Sequence, residues 1–305
     1  MIPPAWGDVW ICPYPTGHIQ ATGTDAAGRK QYRYHDLWRE RRDREKFRSM
    51  EEFARALPRL RRRTERDLGL DGMPRERVLA CAARLLDRGF FRIGSEDYAE
   101  ENDTYGIATM QKRHASVSED LVTFDYEAKG GQRRMQAVGD PAVADVVRAL
   151  KQRRGGGEGL LAYKDGRRWV DVRSAEVNRY VKDATGGDFS SKDFRTWSGT
   201  VLAAVALAVS GMAAGSKTSR KRAKARAVKE VARYLGNTPA VCRASYIDPR
   251  VFDRFDGGVT IGGVLPELIE DTGPWPEVQG TVEEAVLDLI AGDESSRALE
   301  LAEAA

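Results

Sequence analysis

Two short segments carry residues whose types and spacing suit chemistry on a phosphodiester. Lys192-Asp193-Phe194-Arg195-Thr196-Trp197 places an arginine at the start of an expected helix, and Cys242-Arg243-Ala244-Ser245-Tyr246-Ile247-Asp248-Pro249-Arg250 places a tyrosine hydroxyl between arginines. A phenol is a weak nucleophile until its oxyanion is stabilised. The pentacoordinate phosphorus it would create gathers negative charge, which fixed cations stabilise. Each residue also has a plainer reading. A tyrosine before Ile-Asp-Pro is commonly a packed aromatic near a helix end. An arginine in the first turn opposes the helix dipole. That placement fits an anion bound there, or an ion pair to Asp193 or Glu176.

Two further cations invite the same question. Arg92, in Phe90-Phe91-Arg92-Ile93-Gly94, is flanked by large apolar residues. It reads as a buried ion-pair partner or as an anion ligand, since its planar, permanently charged fork fits phosphate. Lys129 precedes Gly130-Gly131 at the expected tip of a hairpin. A lysine there is commonly a solubilising turn residue, but a mobile one can enter a groove and protonate a leaving alkoxide.

These residues need elements to hold them. The segments around Val9–Cys12, His18–Gly23 and Gln31–His35 read as short strands, with a turn at Asp25–Gly28. A charged helix is expected from Trp38 to about Leu68, with Phe47, Met50, Phe53, Ala54 and Leu57 at helical spacing and an interruption at Pro58. Leu70–Pro74 reads as a linker, after which Pro74 opens a helix with Val78, Leu79, Ala82, Leu85 and Leu86 on one face and Gly89 as its cap. Alternation over 121–138 predicts a β-hairpin. Gly155–Gly157 reads as a flexible break, and the chain from about Ala142 onward as mostly helical. Ser190 or Ser191 is available to cap the helix bearing Arg195. The division expected is 1–73, 74–260 and an acidic, partly packed tail over 261–305.

Composition narrows the chemistry. The length suits two domains, and no signal peptide is recognisable. The longest apolar run, Val201 to Ala214, is shorter than the roughly 20 residues a membrane span needs and reads as a buried core helix. Cys12, Cys81 and Cys242 are odd in number and far apart, which argues against a disulfide framework or zinc site and suits a reducing cytoplasm. His18, His35 and His114 form no pair at metal-ligand spacing. The run Gly211 to Thr218 is not a P-loop, because Ser216 separates Gly215 from Lys217. No metal and no nucleotide cofactor is therefore expected. Residues 261–305 hold eleven acids and one base, Arg297, so residues 1–260 carry +13 of the chain's net +3. A basic body points to a polyanion partner, though solvated surfaces would give the same counts. The dense cations over 217–233, including Lys221 and Lys224, fit contacts to backbone phosphates. Lys30-Gln31-Tyr32-Arg33-Tyr34 interleaves cations, an amide and aromatics, a mixture that suits groove edges or a half-buried strand.

Taken in order, these segments resemble the type IB DNA topoisomerases of the small branch found in bacteria and poxviruses. The resemblance runs from about residue 3 to 252. It is carried by Gly17–Gly23, Gly28–His35, Phe91–Gly94, Thr104-Tyr105-Gly106, Ala128-Lys129-Gly130, Lys192–Thr196 and Ser245–Pro249. It implies an α+β, two-lobed clamp that closes on double-stranded DNA, with a small β-rich N-terminal domain, a mostly helical catalytic domain and a hinge near Gly72. It further implies that Tyr246 forms a 3′-phosphotyrosyl bond, that Arg92 and Arg195 hold the non-bridging oxygens, and that Lys129 protonates the leaving 5′ oxygen. Strand rotation and religation would follow without ATP or metal. Lys30, Gln31, Tyr32, Tyr34, Lys192, Lys221 and Lys224 would contact DNA. A monomer in the cytoplasm, associated with the nucleoid, is the corresponding setting. Many members carry a histidine nine residues before the tyrosine; here that position is Asn237, whose amide also donates hydrogen bonds. Asn237 is expected to keep the donor role, unless it only caps a helix. Tyrosine recombinases share this catalytic logic, but they usually carry a histidine where this chain has Lys192 and lack the N-terminal signature. A non-catalytic DNA clamp would have no need of Arg92, Lys129, Arg195 and Tyr246 together.

Overall fold

The computed structural model describes residues 2–211, 216–266, 279–293 and 295–301. The chain forms two compact units, 1–52 and 53–305. The first holds three antiparallel strands, β1 (Gly7–Ile11), β2 (Ile19–Thr24) and β3 (Lys30–Tyr34), in sequence order. It also holds the first part of α1 (Asp36–Leu68). On β3 the alternation puts Tyr32 and Tyr34 on one face; Tyr34 stacks on Trp38, with ring centroids 4.4 Å apart, and Tyr32 stacks on Tyr34 at 6.1 Å.

Helix α1 runs unbroken through Pro58, contrary to the expected interruption. Proline inside a helix costs about 3 kcal/mol. Here its ring is exposed, while Phe53, Leu57 and Leu60 on the opposite stripe are buried. Phe53 meets Phe189 and Phe194 edge-on in the second unit's core. This burial outweighs the loss of one backbone bond. The division between units therefore falls inside α1, and the Leu70–Pro74 loop joins two helices of the second unit.

The second unit is mixed helix and sheet. Its central element is α2 (Arg75–Gly89), packed against α4 (Pro141–Gln152), α5 (Ser174–Thr185), α6 (Ser191–Gly211) and the strands β6 (Gln132–Gly139) and β7 (Ala162–Asp165). The expected apolar face of α2 is buried, and so are Ala80, Cys81 and Ala83 on its other sides. Small residues there let neighbours approach from every direction. After the short α3 (Glu96–Asn102), β4 (Ala115–Ser118), β5 (Leu121–Ala128) and β6 form an antiparallel sheet with the predicted hairpin. A second hairpin, β7 with β8 (Arg168–Asp171), lies in the stretch read as mostly helical. Its Asp165-Gly166 turn was the available signal. The glycine run before it is a loop whose carbonyls at Gly157 and Gly159 accept hydrogen bonds from Arg153.

Helix α6 is the expected core helix, described as far as Gly211, and α7 (Lys217–Leu235) packs on it. Then come α8 (Pro239–Ser245), α9 (Pro249–Asp256), β9 (Val259–Thr260), α10 (Thr281–Ala291) and β10 (Glu300–Leu301), which pairs with β9. The acidic segment packs in part, burying Val282, Val286 and Leu289; Leu268 and Ile269 lie outside the described residues. Among the described residues, no helix is long and apolar enough to cross a membrane, and no three potential metal ligands cluster.

Candidate active site

The site is built around the C-terminal end of α7. Gly236 follows the helix in the left-handed conformation, φ 60°, and turns the chain so that the Asn237 amide donates back to the Ala232 carbonyl (3.1 Å). Such an end leaves carbonyls without helical partners. Here guanidinium groups take them. Arg134 donates to Arg233 O (2.7 Å) and Tyr234 O (2.5 Å), Arg195 to Leu235 O (2.8 Å) and Arg92 to Gly236 O (2.8 Å). The negative end of the helix dipole favours cations at this position.

Two of these arginines also converge on one atom. Asn237 Oδ1 accepts from Arg195 Nη2 at 2.6 Å and from Arg92 Nη2 at 3.0 Å. Arginine only donates, so the amide oxygen must face the guanidiniums and Nδ2 must point away. Among the described residues, Nδ2 donates to none. Asn237 therefore does more than end a helix: it bridges two cations and keeps a donor in hand.

Arg195 is positioned from three sides. Ser190 and Asp193 cap the start of α6: the Ser190 amide donates to Asp193 Oδ2 at 2.8 Å. Glu176 is engaged by Arg75 at 2.8 Å. Neither acid is thus the partner of Arg195, which instead donates from Nη1 to Phe90 O (2.9 Å). Phe90 sits at φ 57°, a strained conformation for a bulky residue. It is the left-handed end of α2 that the sequence assigned to Gly89. Gly89 is required for another reason: a Cβ there would lie 2.1 Å from the Phe91 ring. Arg92 is fixed two residues on, where the Ile107 amide donates to its carbonyl at 2.9 Å. Gly94 and Gly106 make that approach possible, since a Cβ on Gly106 would fall 2.3 Å from Gly94 N. The Phe91–Gly94 and Thr104–Gly106 motifs are thus two halves of one contact.

Tyr246 ends α8, half-buried, with its ring 5.1 Å from the Arg195 guanidinium carbon. Gly199 admits its backbone, because a Cβ there would lie 2.6 Å from Tyr246 O. Asp248, fully buried, caps α9 through the Arg250 amide (2.9 Å), and its own amide donates to Thr200 Oγ1 (3.1 Å). These contacts pin the tyrosine's strand of backbone to α6.

Electrostatically the cluster is one-sided. Burial lowers the Arg195 pKa, opposed by Tyr246, while the neighbouring charges of Arg92 and Arg134 push it down further. Burial likewise lowers that of Arg134. Among the described residues, no carboxylate pairs with Arg92, Arg134 or Arg195.

Lys129 lies exposed in the turn between β5 and β6, with Gly130 and Gly131 at φ 87° and 69°. The structure thus brings Arg92, Arg195, Asn237 and Tyr246 together and puts Lys129 at the end of a hairpin whose β6 strand supplies Arg134. Arg134 was not singled out from sequence. The signal was the alternation itself, which puts it opposite Tyr126 on β5. Of the proposed DNA contacts, Lys192 and Lys221 are exposed on α6 and α7, and Tyr32 on β3. Lys224 pairs with Asp256 (2.5 Å), and Gln31 Nε2 donates to Asp25 (2.9 Å).

A model of the eukaryotic DNA topoisomerase I catalytic core matches residues 35–255, and one of the bacterial DNA topoisomerase IB N-terminal domain matches residues 1–25. The DNA topoisomerase 1B of Acanthamoeba polyphaga mimivirus is 32% identical over 254 residues, covering 81% of this chain and 75% of that protein. DNA topoisomerase 1 of Daucus carota is 24% identical over 129 residues, 42% of this chain and 15% of its own. With its catalytic-core match spanning most of its length and both arginines, Asn237 and Tyr246 gathered at one helix end, the chain belongs to the type IB DNA topoisomerase family.

Proposed function

We propose that this chain relaxes supercoiled double-stranded DNA by transient transesterification at Tyr246. The observation that carries the reading is the convergence of Arg92 and Arg195 on Asn237 beside that tyrosine, without a carboxylate among the described residues to neutralise them. Tyr246 Oη attacks the scissile phosphorus and loses its proton to solvent. The P–O5′ bond breaks, and Lys129, carried in by the hairpin turn, protonates the 5′ oxygen. Arg92, Arg195 and the Asn237 Nδ2 donate to the non-bridging oxygens, where charge grows in the transition state. The strand is left joined through a 3′-phosphotyrosyl bond. Rotation of the free 5′ end releases supercoils, and reversal of the steps reseals the strand. One phosphodiester replaces another, so no nucleotide is consumed. The fixed guanidiniums supply the charge stabilisation that a metal ion supplies in other phosphoryl-transfer sites.

In this reading the chain acts as a two-lobed clamp on one duplex, a monomer sufficing. Tyr32, Tyr34 and Lys30 line the N-terminal contribution, and Lys192 and Lys221 contact phosphates. Gln31 and Lys224 join them by exchanging Asp25 and Asp256 for DNA. A nucleoid-associated, cytoplasmic setting follows from that substrate.

The test uses negatively supercoiled plasmid in EDTA, without ATP, with the parent protein beside Tyr246→Phe. Relaxation by the parent alone, through a ladder of intermediate topoisomers, is expected. Equal outcomes for the two proteins would contradict the proposal.

A further inference from the structure

The strands β5 and β6 do more than carry a lysine on their turn. Arg134 reaches from β6 to two successive carbonyls of α7, at Arg233 and Tyr234, and the next two carbonyls take Arg195 and Arg92. Its guanidinium lies over Gly236, where a Cβ would sit 2.9 Å from Nη1, so the residue that ends the helix also makes room for the arginine. On the same face of the hairpin, the buried Tyr126 donates to Gln136 (2.5 Å), and Gln136 in turn donates to Gly89 O. Burial pushes the Tyr126 hydroxyl up to about 12, against the pull of Arg134, Arg92 and Arg195, so it stays a neutral donor. This part of the hairpin, near its turn, thus grips two helix ends at once. One is the end of α2, which presents Phe90 O to Arg195; the other is the end of α7, which presents Asn237.

We infer that Arg134 is a positioning residue for the transesterification: it fixes the last turn of α7, and through it the orientation of Asn237 between Arg92 and Arg195. This rests on the function proposed above. Arg134 is engaged by carbonyls: its Nη1 and Nη2 each donate to the helix end. Without it, the carbonyls at Arg233 and Tyr234 turn to water and the left-handed turn at Gly236 loses its cover. The Asn237 amide can then rotate. A small misplacement of a group that stabilises the transition state is enough to slow chemistry by about 100-fold.

The experiment measures single-turnover formation of the covalent complex on a saturating suicide duplex, for Arg134→Ala, Arg134→Lys, Asn237→Ala and Arg134→Ala/Asn237→Ala. DNA affinity and thermal midpoint are measured alongside. Arg134→Ala is expected to cleave roughly 10- to 100-fold more slowly at unchanged duplex affinity. The double variant should be little slower than the slower single one, because both changes remove the same contribution. Arg134→Lys, which keeps the charge and can reach one carbonyl, should recover part of the rate. If Arg134→Ala does not fold, Arg134→Lys decides: a rate within about 2-fold of the parent overturns the inference, since one ammonium cannot hold both carbonyls. Cleavage by Arg134→Ala at the parent's rate overturns it, and so does strict additivity with Asn237→Ala. A parent protein that binds the duplex without forming a covalent complex would instead contradict the proposed function itself.

Discussion

Two arginine sites in the second unit are built in opposite ways. Arg61, on α1, donates to both oxygens of Asp87 at 2.9 Å and to both oxygens of Glu283 at 2.5 and 2.9 Å. Glu283 also accepts from the Trp197 indole at 2.7 Å, so α10 is tied to α6 two residues beyond Arg195. Burial opposes the charge on Arg61, but its bonds to Glu283 and Asp87 outweigh this and raise its pKa. At the other site, Arg92, Arg134 and Arg195 are held by backbone carbonyls and one amide oxygen, and burial lowers the Arg195 pKa. Carbonyl dipoles orient a guanidinium without cancelling its charge. The first site spends its charge on structure. In the proposed reaction the second keeps its charge for the phosphate. Within that reading, an arginine is informative about function through the counter-charge that is absent among the described residues.

The contrast can be broken at either end. The largest effect is expected from Arg195→Ala, which should slow covalent complex formation by about 10³-fold, the upper range for loss of one transition-state donor, with only a small fall in thermal midpoint. Arg61→Ala should do the reverse. It strands two acids that are largely buried and should cost about 3 kcal/mol of folding stability, read by denaturant titration, while the folded fraction cleaves at the parent's rate. A large rate loss in Arg61→Ala, measured per folded molecule, would erase the distinction.

Converting one site into the other is a sharper test. Asn237→Asp places a carboxylate between Arg92 and Arg195. It should raise the thermal midpoint, because a carboxylate neutralises two cations that the uncharged amide leaves unpaired. It should also slow cleavage by about 100-fold, because the new acid occupies the phosphate's cations and repels it. Lower stability together with unchanged cleavage would contradict the account. The smallest effect concerns surface lysines. Lys221→Ala should reduce the salt slope of DNA binding by about one unit, the change expected for one phosphate contact. Lys224→Ala should reduce it less, since Lys224 already pairs with Asp256. Equal slopes for the two variants would mean that this pairing yields fully to DNA.

Much of the site was legible because its chemistry is written in side chains. The tyrosine, the arginines, the hairpin lysine and the asparagine in the histidine's place are each visible as residue types in ordered motifs. What holds them was less so, because backbone carbonyls carry no letter. Nothing in Arg233-Tyr234-Leu235-Gly236 announces that successive carbonyls there will orient three guanidiniums. Local rules also yielded to packing. Pro58 stays in a helix because the opposite face is buried, and Phe90 takes the left-handed place because Gly89 is needed against Phe91. The acidic stretch was read by its charge as a partly packed tail. Its Glu283 serves as an internal ligand for Arg61 and Trp197, a long-range pairing that no local pattern encodes.

The most direct measurement is to trap the protein on a duplex suicide substrate labelled on the cleaved strand, digest the complex and sequence the DNA-linked peptide. The account predicts a single linkage, through Tyr246, to a 3′ phosphate. Attachment through another residue, a 5′ linkage, or no linkage by a protein that binds the duplex would contradict it.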